Sequence, residues 1–348
     1  MSVDSFRVSR SAISEAWLRA AKLVVGTLNA LTNGITTSTA TKADKNVDML
    51  IGGQAVIEGV MMRSLSGYSV AVRQMNGEIA IKKDQLVAIT KKYPLLRFPV
   101  LRGSVVLIQS LVLGIRALNF SASASSEGKD GEPELSNWAV ASSMLLAFGL
   151  AIGIFVLAPL GLTNLIRHYL VPSMSNFEYN VIDGVIRGIF FFLYIASISL
   201  MEEIRRVFQY HGAEHKTVYT FEANEELTVE NARKKSTLHP RCGTSFLLFV
   251  MAISIVVFSL IPSTSPFVVK FGARVILLPL IAGLAYEVIR FSARHLENPV
   301  CKVLIRPGLW LQKITTKEPD DQQLEVAIVA LQEALLYDAV EINKPAVA

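Results

Sequence analysis

Four long apolar stretches dominate the pattern of hydrophobic and polar positions along the chain. Residues 138–160 run for 23 positions without a charged side chain, and residues 244–261 run for 18. Residues 181–201 and 271–289 are similar in length but hold two charged residues each. A helix of about 20 apolar residues crosses the hydrocarbon core of a bilayer. The pattern therefore predicts four transmembrane helices within residues 138–295.

A shorter apolar stretch precedes these four. Arg102, Gln109 and Arg116 interrupt it, so its uncharged core over residues 103–115 is only 13 residues long. That length is short for a membrane span. We interpret residues 98–120 as an interfacial or re-entrant helix, and a fifth span is the alternative.

The remaining segments are polar or alternate between apolar and polar positions. Alternation on both sides of Asn76-Gly77 predicts a hairpin with a type I′ turn, inside a small β-rich cytoplasmic element over residues 48–97. Residues 1–47 are expected to be a flexible extension, and residues 121–137 a flexible linker. The tail over residues 296–348 contains apolar positions at helical spacing from 320 to 337, which predicts an amphipathic helix.

The amino-acid composition adds to this picture by excluding other classes of protein. Hydrophobic residues make up 51% of the chain and charged residues 18%, against about 25% charged in soluble domains. Two cysteines cannot form a disulfide framework of the kind found in small secreted domains. The fold class is therefore an α-helical polytopic membrane protein, with the small N-terminal β-rich element outside the bilayer.

The placement of basic residues predicts the orientation in the membrane. Sixteen lie before residue 138, seven in the connection over residues 202–243 and seven after residue 289. The connections on the other side hold only Arg167 and Lys270. Lys and Arg collect on the cytoplasmic side. Both termini and the loop over residues 202–243 are therefore expected in the cytoplasm, in the cell (inner) membrane or, alternatively, a plastid membrane.

Three of the five histidines fall in this loop. His211, Glu214 and His215 are spaced i, i+3 and i+4, so a helix continuing from the second span places them on one face. This H-x-x-E-H arrangement occurs in a class of zinc proteases. Two imidazoles one turn apart can bind Zn²⁺ or a similar divalent metal, and the carboxylate can act as a general base.

His239 and Cys242 add a further imidazole and thiol at the start of the third span. The predicted metal ligands are thus His211, His215, His239 and Cys242, and Glu214 is the candidate catalytic residue. A polar cluster without metal is the alternative. All four ligands together would make a closed structural site, whereas a catalytic site keeps one position open. Glu287 is either a further ligand or the ion-pair partner of Arg290 or Arg294.

Several separate motifs resemble the YqhQ-like family of bacterial polytopic membrane proteins of unknown function, which are sometimes described as metal-dependent enzymes. They are GGQAVIEGVMMRS (52–64), FPVLRG (98–103), YHGAEHKTV (210–218), LHPRCGTSFLL (238–248), Tyr286-Glu287 and PGLWLQKITTKEPDD (307–321). The resemblance covers roughly residues 50 to 335. It implies the fold and the membrane location, with His211, Glu214, His215, His239 and Cys242 as notable polar positions.

Three functions remain open from the sequence. The first is a metal-dependent membrane hydrolase that acts on a lipid or a membrane peptide at the cytoplasmic surface. The second is a non-enzymatic scaffold, assembly factor or transport component with a structural metal or polar cluster. The third is an interaction protein that works through the β-rich element and the C-terminal amphipathic helix. The expected partners are the lipid bilayer and, in a homo-oligomer, further copies of the chain. Nucleic acid is not expected, because basic and aromatic residues are not interleaved.

Overall fold

The computed structural model describes residues 51–86, 93, 96, 98–126, 137–262, 264–295 and 297–342. Four strands come first: β1 Gly52–Val56, β2 Gly59–Arg63, β3 Gly67–Arg73 and β4 Ile79–Gln85. The helices are α1 Leu101–Ser126, α2 Asn137–Ile152, α3 Ala158–Tyr169, α4 Asn176–Ile198, α5 Glu202–Glu222, α6 Val229–Arg233, α7 Thr244–Phe258, α8 Phe267–Arg294, α9 Pro299–Thr315 and α10 Asp321–Ile342. The predicted extension over residues 1–47 lies outside the described residues.

The predicted fold class is confirmed in its coarse form. The described chain is mostly helical, and four helical segments are long and apolar enough to cross a membrane: Leu101–Ser125, Leu145–Tyr169, Asn176–Ile198 and Phe267–Arg294. The second of these runs through α2, a π-helical turn at Gly153–Leu157 and α3.

The count of four agrees with the prediction, but the set of segments differs. The stretch predicted as an interfacial helix is the 26-residue α1 and is one of the four. The span expected over residues 244–261 is represented by α7, which has only 15 residues. Residues 121–126 belong to α1 rather than to a linker, because Ala124 packs against the sheet and prolongs the helix.

The four strands form one antiparallel sheet in the order β1-β2-β3-β4. Side chains alternate between its two faces. Val60, Met62 and Ala71 pack on one face with α5 and α10, while Met61 and Val70 pack on the other face with α1. The sheet is therefore the middle layer between helices, which explains why β2 and β3 have continuous runs of buried residues.

The hairpin around Asn76-Gly77 is present, but the predicted type I′ turn is wrong. Gly77 has a positive φ of 88°, whereas Asn76 is not among the residues with positive φ. The Gly77 N–H donates to the Gln74 carbonyl at 3.0 Å, and the Gln74 N–H donates to the Glu78 carbonyl at 2.8 Å. This is the longer connection in which a type I turn is followed by a left-handed glycine.

The C-terminal helix α10 buries its apolar side against the sheet and α5. Leu324, Ala327 and Leu331 have at most 1% of their surface exposed. Three segments distant in sequence, the N-terminal sheet, the central α5 and the C-terminal α10, thus share one hydrophobic cluster. This packing fixes the position of the His-rich face of α5.

Candidate metal centre

The helix α5 carries three of the predicted site residues on one face. The second span does not continue into it as expected, because Met201 adopts an extended conformation and a new helix begins at Glu202. The i, i+3, i+4 spacing still brings His211, Glu214 and His215 together. Glu214 and His215 are 6% and 2% exposed, so the face is turned into the protein.

Both histidines are anchored through Nδ1 to backbone carbonyl groups. His211 Nδ1 lies 2.8 Å from the Thr315 carbonyl oxygen at the end of α9, and His215 Nδ1 lies 2.5 Å from that of Thr237. A carbonyl can only accept, so each Nδ1 carries a proton, and in the neutral ring Nε2 is then the nitrogen with a lone pair for a metal. This is how metal-binding histidines are held by the residues around them.

Cys242 lies immediately before α7 and faces His211. Its Sγ is 3.3 Å from His211 Nε2, 3.2 Å from Thr244 Oγ1 and 3.4 Å from the Thr244 backbone nitrogen, which donates to it. The thiolate is the form of cysteine that binds metals.

His211, His215 and Cys242 each offer one ligand atom, and these three atoms lie within 4.8 Å of one another. Bonds of about 2.0–2.3 Å would let one tetrahedral ion reach all three after a small contraction. The Nε2 of His215 is buried and has no hydrogen-bond partner. It lies 3.4 Å from a carboxylate oxygen of Glu214 without hydrogen-bond geometry, so a ligand in the group would satisfy it.

The carboxylate of Glu214 is positioned by the first strand of the sheet. Its Oε1 accepts a hydrogen bond of 2.8 Å from the Gly53 backbone N–H, which leaves Oε2 directed towards His215. A Cβ at position 53 would come within 2.8 Å of Glu214 Cγ and 2.5 Å of the Met61 carbonyl oxygen. Glycine at this position therefore permits the close contact between β1 and α5.

His239, the fourth predicted ligand, is near this group but not part of it. Its Nε2 lies 3.3 Å from a carboxylate oxygen of Glu222, and its Nδ1 accepts from the Arg241 N–H at 3.3 Å. The side-chain amide of Gln312 holds its backbone through two hydrogen bonds of 2.8 and 2.9 Å. The structure thus brings three of the four predicted ligands together and gives the fourth another partner.

Glu222 is the centre of this second polar group. Burial by itself raises the pKa of its carboxyl, but hydrogen bonds and charge interactions with His239 and Arg241 outweigh the burial, so the pKa lies below its ordinary value. The ionised carboxylate fixes the loop that leads from His239 to Cys242.

Glu287 and Glu58 each form an ion pair with an arginine. Glu287 was expected to be a further ligand or to pair with Arg290 or Arg294, but it pairs with Arg102 of α1, with Nε and Oε1 2.7 Å apart. Glu58 accepts two hydrogen bonds of 2.6 and 2.5 Å from Arg206, which ties the β1–β2 turn to α5.

Several residues that shape the site were missed by sequence reasoning. They are Glu222, Gln312 and the carbonyl groups of Thr237 and Thr315. Each contacts a site histidine from another segment of the chain. The only sequence signal was that these residues lie within or beside motifs of the family resemblance. A motif does not show which residues contact each other in the fold. Gly53 lies in the first of these motifs, but its contact with Glu214 was not predictable.

Comparisons with known proteins agree on a family without a known function. Residues 98–336 match the family model described as "Protein of unknown function (DUF1385)". The chain is 37% identical over 300 residues to "Uncharacterized protein YqhQ" of Bacillus subtilis (strain 168), which covers 83% of this chain and 93% of that protein. No solved structure matches the chain.

Proposed function

The chain belongs to the DUF1385 family, and from that premise we propose that it is an integral membrane protein with a divalent-metal site formed by His211, His215 and Cys242. We further propose that the site catalyses hydrolysis at the cytoplasmic surface of the membrane, with Glu214 as the general base. Zn²⁺ is the ion best matched to two imidazoles and a thiolate.

The observation that carries the proposal is the pair of imidazoles with fixed tautomers. Both Nδ1 atoms are engaged by backbone carbonyls, His211 Nε2 lies 3.3 Å from Cys242 Sγ, and His211, His215 and Cys242 each offer a ligand atom within 4.8 Å of the others. An unpaired nitrogen such as Nε2 of His215, with the residue 2% exposed, is rare in native proteins unless a ligand uses it.

The donor set suits a catalytic site because it supplies only three ligands. A divalent ion held there provides Lewis-acid activation of water or of a carbonyl or phosphoryl oxygen. Glu214, beside His215 and held by the Gly53 N–H, is placed to accept a proton from a water at the open side. The carbonyls of Thr237 and Thr315 keep the two imidazoles oriented during this transfer.

The distribution of basic residues supports a cytoplasmic position for the site. Most Lys and Arg residues lie before residue 138, between 202 and 243, or after residue 289, and the metal ligands belong to the central group. A lipid headgroup or a membrane peptide is the class of substrate that can reach a site at this depth.

We propose that α1 lies in the membrane interface rather than crossing the bilayer, although its length would allow a span. Leu113 and Ala117 are buried against the sheet, whereas Ile108, Leu111 and Ile115 are exposed on the opposite side. If α1 spanned the bilayer, the charged edge strand β4 (Ile79–Gln85) would be drawn into the hydrocarbon.

A closed structural metal site is the second candidate, and one distance favours it. Glu214 Oε2 is 3.4 Å from His215 Nε2, so the carboxylate can serve as a fourth ligand. The protein would then be a scaffold or assembly component stabilised by its metal.

The substitution Glu214→Gln distinguishes the two candidates. If Glu214 is a general base, the purified variant keeps its metal and thermal midpoint but fails to complement a bacterial strain that lacks its own family member. A general base contributes about 10²–10⁴-fold to a rate, so the loss is large enough to detect.

Glu230→Gln, at an exposed carboxylate on α6, is the matched control and should complement fully. Loss of metal in Glu214→Gln would support the structural candidate instead. Normal complementation by a metal-loaded Glu214→Gln variant would contradict the catalytic proposal.

A further inference from the structure

A second cluster of charged residues lies at the other end of α7 from the metal centre. Asp183 and Arg187 on α4 meet Lys270 and Arg274 on α8, and the guanidinium groups of both arginines lie over the ring of Phe258, the last residue of α7. The 15 residues of α7 separate this cluster from Cys242 by about 22 Å. It is therefore distinct from the proposed metal site.

One carboxylate in this cluster is shared by two guanidinium groups. Asp183, 2% exposed, accepts from Arg187 Nη2 at 2.8 Å and from Arg274 at 3.0 and 3.1 Å. The two positive charges are thus balanced by a single negative charge.

Lys270 adds a third positive charge without adding a negative one. Its Nζ contacts the Asn164 side-chain oxygen at 3.3 Å and the Tyr179 hydroxyl at 3.2 Å, and it lies 4.3 Å from the centre of the Tyr179 ring. Within the described residues, no carboxylate is within ion-pair distance of this ammonium group. Lys270 is only 5% exposed, so water cannot stabilise its charge fully.

Two further donors in the cluster are unsatisfied. The Nε atoms of Arg187 and Arg274 are buried and have no hydrogen-bond partner. A narrow cleft adjoins Arg274, and Lys270 and Arg274 form part of its wall. The other lining residues are Tyr179, Asn180, Ile261 and Pro262.

We propose that this cluster binds the phosphate group of an anionic ligand, either a lipid headgroup or free phosphate. Guanidinium groups bind phosphate oxygens through paired N–H donors, and an ammonium group adds a point charge. A phosphate seated at the cleft restores the charge balance of the cluster. The two sources share this chemistry and differ in the attached acyl chains.

The position of the cluster suits a headgroup phosphate. Arg274 is the eighth residue of α8, about 10 Å along the helix from its start, and Asp183 is equally deep in α4. Ile189 and Ile276, further along the same helices, are 52% and 76% exposed and offer an apolar surface to acyl chains on the side of the bilayer centre.

The test measures binding of three probes to the full-length protein in detergent: inorganic phosphate, dioctanoyl phosphatidic acid and dioctanoylglycerol. The proposal predicts that phosphatidic acid binds and dioctanoylglycerol does not, because the two differ only in the phosphate. Equal binding of inorganic phosphate identifies free phosphate as the ligand, and binding of phosphatidic acid alone identifies a lipid. Binding of neither phosphate probe overturns the proposal.

Variants tie the binding to the cluster. Lys270→Gln should weaken binding of the phosphate probe about tenfold or more, since a charge-assisted hydrogen bond is lost, while Lys270→Arg should restore it. Lys302→Gln, at an exposed lysine of α9, is the matched control and should bind as the wild type does. Equal binding by Lys270→Gln and Lys302→Gln overturns the proposal.

Discussion

One ring nitrogen of His215 is hydrogen-bonded, and the other has no hydrogen-bond partner. Its Nδ1 is fixed by the Thr237 carbonyl, whereas its buried Nε2 faces a thiol, a second imidazole and a carboxylate. Sequence spacing predicted that His211, Glu214 and His215 share a helix face. It could not predict the direction of His239, because the contact of His239 with Glu222 depends on how the loop after α6 returns to α5.

Gly53 provides a test of how the sheet positions Glu214. Gly53→Ala should destabilise the protein by about 1–3 kcal/mol, because the added methyl group meets the Met61 carbonyl oxygen and Glu214 Cγ. Gly52→Ala, where nothing lies within 4 Å of the added atom, is the matched control and should leave stability nearly unchanged. The measurement is the thermal midpoint in detergent. Equal midpoints for the two variants would contradict the role given to Gly53.

The lowered pKa of Glu222 predicts a pH-dependent contribution to stability. The carboxyl is more acidic in the folded protein than its ordinary value of 4.5, so its contribution is complete above that pH and is lost as the pH falls through the lower folded value. Glu222→Gln cannot make this contribution. The difference in thermal midpoint between wild type and Glu222→Gln should therefore shrink between about pH 6 and pH 3. A difference that is constant or grows towards pH 3 would show that Glu222 is not stabilised as an anion.

At the scale of elements, the hydrophobic pattern predicted where the helices and the hairpin lie better than it predicted where the helices end. The apolar stretches and the hairpin were found from the sequence, since each is a local signal. The end of α1 was not found, because residues 121–126 are helical through packing on the sheet rather than through an apolar run of their own. The shortness of α7 follows from Pro262, which stops the helical pattern soon after Phe258.

The proposed interfacial position of α1 can be tested by depth measurements. Single cysteines at Ile108 and Ile115, both exposed on α1, would carry a fluorescent label quenched by lipids brominated at known depths. We predict equal depths for a helix parallel to the membrane surface, whereas a spanning helix would separate the two labels by about 10 Å. Val185 and Phe192, also seven residues apart and exposed on α4, are the matched control pair and should differ in depth. A depth difference on α1 equal to that on α4 would contradict the interfacial position.

At the scale of the whole molecule, the candidate site depends on contacts between distant segments. The candidate ligands come from α5 and from the loop before α7, one histidine is held by the end of α9, and the proposed general base is held by β1. The apolar pattern predicted helices long enough to cross a membrane, which the described residues contain, and the orientation inferred from charge stays a prediction. The assembly of the site could not be predicted, since residues 53, 214, 242 and 315 meet only after the sheet packs on α5.

Metal content is the most direct measurement of the central claim. Elemental analysis of the purified full-length protein should find about one divalent ion per chain in the wild type and almost none in His211→Ala. His239→Ala should retain the ion, because His239 faces Glu222 rather than the ligand group, and His295→Ala should retain it as an unrelated histidine. A wild-type protein without stoichiometric metal, or a His211→Ala variant that carries as much metal as the wild type, would contradict the account.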